Sequence, residues 1–521
     1  MANLTLIEAI SSLNKLNESF NAYRERVDVN IDAFFLVTMS IVVYLMQCGF
    51  AFIEAGSVRS KNTIDILLKN LLTSLITCVV YFFCGWAFAF GNKGNPYIGF
   101  GQFLLLDLEA PKYPLWFFHF VFAATASTIV SGAVAERCEM IAYLLYSVLL
   151  TGLVYPVITH WTWDSSGWLA NGPDGIKFKD FAGSACVHLH GGTVALIGMI
   201  FLGPRIGRFE DKKTGRPAVP LKGHSAPFVV LGAFMLLVGF FGFNGGSQGS
   251  LARPGDGDTV ARACVNTILC SGWATLAVLF CNKFFFSKNW SLLCSINAAL
   301  TGMVAACSGC DALEPWTCSV VGSGAGFMYF FTAMLVEKLQ IDDPVDTVAI
   351  HCGGGLWGLL ITPVMMNGGI IYEANRLSFL QLGWNALGGL AIVGWSLITM
   401  GALFLILKLT GKLRVPAEVE LRGLDEMRHG GAAYPTEFKD AASRKISKYG
   451  DDPLFLAGAV TAQFSRSSGL DNQRANYDNQ GYFGNSEQER AMHLKNRHSY
   501  NVQPVKVDQG ESVTVTTRNF K

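Results

Sequence analysis

The chain has 521 residues, 51% of them hydrophobic and 15% charged, with a mean hydropathy of +0.35; an ordinary soluble protein carries roughly 25% charged residues. That balance excludes a soluble globular domain and a wholly disordered chain. The 40 Lys and Arg nearly cancel 39 Asp and Glu, leaving no basic excess to neutralise a phosphate backbone, so no nucleic acid is expected as a partner.

Residues 1–32 are polar and contain two N-x-S/T triplets, Asn3-Leu4-Thr5 and Asn17-Glu18-Ser19, which are glycosylation acceptors if this segment is external. The first residues lack the basic region of a cleavable signal, so the first apolar span is expected to serve as the insertion signal. Eleven apolar stretches then follow, each near the roughly 20 residues that a helix needs to cross a bilayer. They lie near 33–54, 67–91, 115–134, 139–160, 182–204, 226–248, 261–282, 290–308, 318–337, 348–365 and 381–408. Together they form one membrane domain over 33–410. The polarity rises after Pro416, and 411–450 is read as a cytoplasmic regulatory segment. From 451 to 521 the chain is rich in Asn, Gln, Ser, Arg and Gly; such a composition buries too little surface to fold alone, and a disordered cytoplasmic tail is expected.

Eleven spans place the two termini on opposite sides of the membrane. With the N-terminus outside, the inner loops hold twelve basic residues, among them Arg59, Lys61, Arg137, Arg205 and Arg208, and the outer loops hold seven. Basic residues collect in cytoplasmic loops, so the N-terminus is read as extracellular and the C-terminus as cytoplasmic, in a multi-pass protein of the cell membrane.

The thirteen cysteines do not form an evident framework, because most lie inside apolar runs and act there as small hydrophobes. Cys307, Cys310 and Cys318 cluster beside one short connection, where either a disulfide or a C-x-x-C metal pair is conceivable. No second pair or neighbouring histidine completes a zinc site, and neither metal nor cofactor is expected. H-E-x-x-H is absent from the sequence, and the one G-x-S-x-G, Gly245-Gly246-Ser247-Gln248-Gly249, stands at the end of an apolar span and not at a strand-to-helix turn, which argues against a hydrolase.

One pattern repeats. Asp180 precedes His188-Leu189-His190-Gly191-Gly192 in the fifth span, and Asp346 precedes His351-Cys352-Gly353-Gly354-Gly355 in the tenth. Five crossings reverse a helix, so two five-span halves would be related by an axis in the membrane plane. The fold class expected is therefore an all-α membrane protein of eleven transmembrane helices, two inverted five-helix repeats plus one extra helix. His188 and His351 become candidates to meet near the midplane. Ionisable groups there tend to line pathways, although a packing histidine bonded to a carbonyl is the alternative.

Span arithmetic also gathers Phe122, Trp163, Phe243 and Ser247 at outer ends. Aromatic faces attract a small cation and a hydroxyl accepts a hydrogen bond from it. The competing reading is the aromatic belt that forms at any bilayer interface.

These residues resemble the Amt/Mep/Rh ammonium transporter family, and within it the plant-type Amt branch, over roughly residues 33–435. The matching stretches are Gly56-Ser57-Val58-Arg59-Ser60-Lys61-Asn62, Ala135-Glu136-Arg137, Asp180-Phe181-Ala182-Gly183 with Val187-His188, Phe241-Gly242-Phe243-Asn244, Asp342-Asp343-Pro344 with Asp346 and His351, and Gly423-Leu424-Asp425 through His429-Gly430 to Ala433-Tyr434. The resemblance implies a homotrimer with one pore per subunit. It makes Trp163, Ser247 and Phe122 an outer ammonium site, Phe122 and Phe243 a stacked gate, and His188 and His351 the pore pair. It makes Asp180 a buried support of the outer site acting through the backbone. Phe240 stands where the family usually has Trp, and His119 where it often has Gln.

The function this implies is transport: ammonium is captured outside, loses a proton and passes as ammonia, with net movement of charge. An electroneutral Rh-like ammonia channel and an ammonium sensor acting through the cytoplasmic segment are the alternatives. Thr436 and Ser443 are candidate sites for regulation by phosphorylation.

Overall fold

The computed structural model describes residues 2–211 and 214–434; the expected disordered tail, Thr436 and Ser443 lie outside the described residues. Within a bilayer no water is present to bond the backbone, so each spanning segment must satisfy its own N–H and C=O groups, as a helix does. The helices in chain order are α1 (Ala2–Ser57), α2 (Ser60–Phe90), α3 (Ala110–Ala133), α4 (Met140–Trp163), α5 (Ser184–Leu202), α6 (Ala226–Gly246), α7 (Asp256–Phe286), α8 (Leu292–Ala306), α9 (Pro315–Lys338), α10 (Val348–Met365) and α11 (Arg376–Leu409). Ten are long and apolar enough to cross a membrane; α8, at 15 residues, is the short one. The protein is thus an all-α membrane protein of eleven spans.

Helix starts carry their own local reasons. The Ser225 hydroxyl accepts the Phe228 N–H ahead of α6, Ser291 does the same for Cys294 in α8, and Asn375 and Ser378 form a reciprocal capping box at α11. The first span differs from expectation: α1 begins at Ala2, so the polar N-terminal segment continues the spanning helix instead of preceding it.

The inverted halves are visible in the packing. α1 lies along α6, its counterpart in the second half, and α5 crosses α10, while α11 packs on both α5 and α10. The last helix therefore closes one side of the central crossing. A hairpin of β1 (Lys93–Asn95) and β2 (Ile98–Phe100) covers the end of α4: the Trp161 indole donates to the Tyr97 carbonyl at 2.7 Å.

At the opposite end, charged residues that looked like scattered signatures form one buried network. Arg205 donates to Asp342 from its backbone N–H (2.9 Å), Nε (2.8 Å) and Nη2 (2.9 Å), and its Nη1 lies 3.3 Å from Glu136. Arg59 holds the other side of Glu136, its backbone N–H at 2.8 Å and its Nε at 2.6 Å. Arg137 donates to the Asp342 carbonyl at 2.8 Å. The segment after α11 then docks on these same loops through α12 (Ala417–Arg422) and α13 (Leu424–His429). Asp425 accepts the N–H groups of Ile64 and Asp65, both at 3.0 Å, and so caps the start of α2, while His429 Nε2 lies 3.0 Å from Asp65.

Burial alone would raise the Asp342 carboxyl, but Arg205 and Arg137 outweigh it and hold the group well below the usual carboxylate range. A depressed folded-state pKa adds stability that is complete above the unfolded value, near 4, and is lost as pH falls through the folded one. We therefore expect Arg205→Ala to destabilise the protein by about 3–5 kcal/mol at neutral pH, because it leaves a buried carboxylate unpaired. Thermal unfolding in detergent checks this: the gap between wild type and variant should be full at pH 7 and shrink as pH drops below about 4.

Candidate functional site

Both histidines of the repeat sit in unusual backbone. The first turn of α5, Ser184–Leu189, and the first turn of α10, Val348–Gly353, are π-helical, a wide turn that recurs at functional sites. In each, an aspartate eight residues before the histidine ties down the start. Asp180 Oδ2 accepts the N–H groups of Ala185 and Cys186 at 2.9 Å, and Asp343 Oδ2 accepts that of Val348 at 2.8 Å. The structural counterpart of Asp180 is thus Asp343, not Asp346 as the sequence pairing suggested. Asp346 instead accepts from the Tyr329 hydroxyl at 2.8 Å and from Asn297 at 2.9 Å. Burial pushes the carboxyl of Asp180 up to about 6 in spite of its backbone donors, and burial followed by the nearby Asp346 pushes Asp343 up to about 7.

The two histidines meet. His188 Nδ1 lies 3.1 Å from His351 Nδ1, with the rings 5.2 Å apart and 13° from parallel. At that distance one nitrogen donates and the other accepts, so at least one ring is neutral. His188 Nε2 is buried without a partner. His190, two residues on, faces elsewhere: its Nδ1 bonds the Ser396 hydroxyl of α11 at 2.7 Å.

Glycines make the meeting possible. A Cβ at Gly192 would stand 2.4 Å from the Cys352 backbone nitrogen, and one at Gly355 would stand 2.5 Å from the Ser184 carbonyl and 2.8 Å from the Leu189 nitrogen. Cys352 and Leu189 each follow one of the paired histidines. Each half therefore rests a bare glycine on the backbone beside the other half's imidazole, a close approach that small residues permit in membrane helices.

Above the pair, Phe122 of α3 and Phe243 of α6 stack face to face at 3.9 Å and 8°. Phe243 is also 5.5 Å from the His188 ring, and Phe240 is 5.6 Å from it. Trp163, the last residue of α4, stands edge-on to Phe122 at 6.0 Å. Its indole donates to the Asp180 carbonyl at 2.9 Å, which links the tryptophan to the capped start of α5. Ser247 follows α6 and donates its hydroxyl to the Phe243 carbonyl at 2.8 Å. The structure thus joins Trp163, Phe122, Phe243, His188 and His351 in one chain of ring contacts, with Ser247 tied to Phe243 and Asp180 to Trp163. Sequence reasoning did not include Phe118, 4.6 Å from Phe122; its one-turn spacing from Phe122 was the available signal.

An inverted-repeat bundle whose halves cross at paired, buried histidines beside stacked phenylalanines defines a multi-span membrane protein with a polar pair at the centre of an apolar core. The comparisons with known proteins agree with that class. Residues 33–434 match the sequence profile of the Ammonium Transporter Family. A protein of Caenorhabditis elegans is 46% identical over 445 residues, covering 82% of this chain and 83% of its own. Ammonium transporter 1 member 3 of Solanum lycopersicum is 36% identical, covering 82% of this chain and 98% of its own. Among solved structures, a sensor Amt protein superposes with a TM-score of 0.70 at 32% identity, over 78% of this chain and 99% of its own. The chain belongs to the ammonium transporter family.

Proposed function

We propose that the protein carries ammonium across the cell membrane, taking it up at the aromatic mouth and passing it as ammonia between the two histidines. The observation that carries this reading is the Phe122–Phe243 stack lying directly against a buried, mutually hydrogen-bonded imidazole pair. A cation at the faces of Trp163 and Phe122 gains roughly 0.5–2 kcal/mol, and the Ser247 hydroxyl retains lone pairs to accept from it. Next to the stack, His188 is fully buried beside the Phe240 and Phe243 rings, a setting that penalises charge and favours release of a proton from ammonium. The imidazoles then give neutral ammonia polar partners, and their shared Nδ1 contact is suited to relaying the proton, so that net charge moves. Potassium has no proton to surrender and meets an uncompensated loss of its hydration shell. Asp180 supports the mouth through its carbonyl and its caps, without touching substrate. A homotrimer with one such passage per subunit, an extracellular and glycosylated N-terminus and a cytoplasmic C-terminus complete the reading.

Ammonium-evoked current in oocytes, recorded across external pH with potassium as competitor, tests it. A saturable inward current that potassium does not carry is expected; absence of any ammonium-dependent current or flux would sink the proposal. Substrate flux without current would select the electroneutral channel. Trp163→Leu should raise the KM for ammonium by roughly 2–30-fold, the range spanned by the loss of one cation–π contact, with the maximal current less affected.

The docking of α12 and α13 on the loops beside α2 favours one second reading, a sensor that signals through this segment. Tail-dependent signalling in a variant without flux would separate it from transport.

A further inference from the structure

His119 lies one turn before Phe122 in α3 and extends the ring chain at the mouth. Its imidazole is 5.8 Å from Trp163, 6.4 Å from Phe122 and 4.2 Å from Phe90, measured between ring centres. Nδ1 is buried without a hydrogen-bond partner, yet the residue as a whole keeps partial exposure. The accessible polar edge of the ring is therefore the Nε2 edge. A neutral imidazole has one donor nitrogen and one acceptor nitrogen.

The other side chains assigned to the mouth supply few acceptors. Trp163, Phe122, Phe118 and Phe243 offer faces and edges, the Trp163 N–H is a donor already engaged, and Ser247 contributes one hydroxyl. Aromatic faces attract any small cation by charge. Ammonium differs from potassium in carrying four N–H donors, each of which costs free energy if desolvated without an acceptor. A directional nitrogen acceptor at the mouth thus favours ammonium, since it takes up an N–H, whereas potassium is a hard ion better served by oxygen ligands.

We propose that His119 is a substrate-contacting residue of the outer site, its neutral imidazole accepting an N–H of bound ammonium and so favouring ammonium over potassium. This inference rests on the outer-site reading given under Proposed function.

The test uses the full chain in oocytes. His119→Gln keeps an acceptor at that place; His119→Phe and His119→Leu remove it. The KM for ammonium should rise roughly tenfold in the Phe and Leu variants, as expected for losing one hydrogen bond to a charged donor, and should stay within about twofold in the Gln variant, whose amide oxygen can replace the lone pair. Inhibition by potassium should change much less than the KM for ammonium in the Phe and Leu variants, because a hard cation that prefers oxygen ligands gains little from an imidazole nitrogen, whereas an N–H donor bonds it well. Surface labelling identifies any variant that fails to reach the membrane, and the Leu variant substitutes for the bulkier Phe in that case. An unaltered KM in the Phe and Leu variants, or potassium inhibition shifting in parallel with ammonium, overturns the assignment. Trp163→Leu measured alongside keeps the two ideas apart: an unchanged KM there removes the aromatic capture site, whereas a change there with none at His119 removes only the role of His119.

Discussion

Ammonium-selective current is expected to disappear when His188 and His351 are both replaced by alanine. The His188 ring lies 5.5 Å from that of Phe243, and the two imidazoles are each other's hydrogen-bond partner. Groups acting as a unit are not additive, so each single variant should already lose most of the selectivity. The double variant removes the polar stepping stones for ammonia and opens a space in which water and a hydrated ion find room. Reversal potentials in mixed ammonium and potassium solutions read the effect directly. Selectivity should fall from strongly ammonium-preferring to near indifference between the two ions. Retention of the wild-type preference by the double variant would refute the role given to the pair.

An equally large effect is expected from a residue that contacts no substrate. Gly192 meets the Cys352 backbone with no room for a Cβ: the nearest atoms are the nitrogen at 2.4 Å and Cα at 2.9 Å. Backbone cannot yield as the tip of a flexible side chain can. Gly192→Val must therefore push α5 from α10, and Cys352 is the neighbour of His351, so the 3.1 Å contact between the imidazoles opens with it. Overpacking of this kind costs about 1–3 kcal/mol, occasionally more. Transport should fall by orders of magnitude, and the melting temperature in detergent should fall with it. Gly355→Val, at the equivalent place in the other half, should behave alike. Gly401→Ala in α11, where a Cβ would meet nothing within 4 Å, is the control and should be silent. Wild-type current in Gly192→Val would show that this contact does not set the crossing.

Much of this protein was legible before any coordinates. Hydropathy over windows of about 20 residues located the eleven spans, because a bilayer imposes length and polarity locally. The H-x-x-G-G repeat, five spans apart, was enough to expect that His188 and His351 meet, and span parity was enough to group Trp163, Phe122, Phe243 and Ser247. Helix limits were less legible. α1 continues to Ala2 through a segment whose polarity suggested a separate element, since helix continuity costs little once a long span has nucleated it.

The aspartates show where local pattern stops. Two candidates, Asp343 and Asp346, precede His351, and proximity to the motif suggested Asp346. Only the backbone path decides that Asp343 caps α10 as Asp180 caps α5, while Asp346 turns toward Tyr329 and Asn297. The signature stretches around Arg59, Glu136, Arg205 and Asp342 likewise gave no sign that they converge, far apart as they are in sequence, into one buried network.

The amino-acid sequence by itself determined that this chain crosses a membrane, how often, and which residue types are available at each depth, because those properties follow from the transfer of short segments between water and lipid. Tertiary structure alone decided the 3.1 Å imidazole contact, the closed phenylalanine stack and the partner of each aspartate. Those distances depend on how closely two remote backbones approach at Gly192 and Gly355, and that approach is set by the packing of all the helices around them.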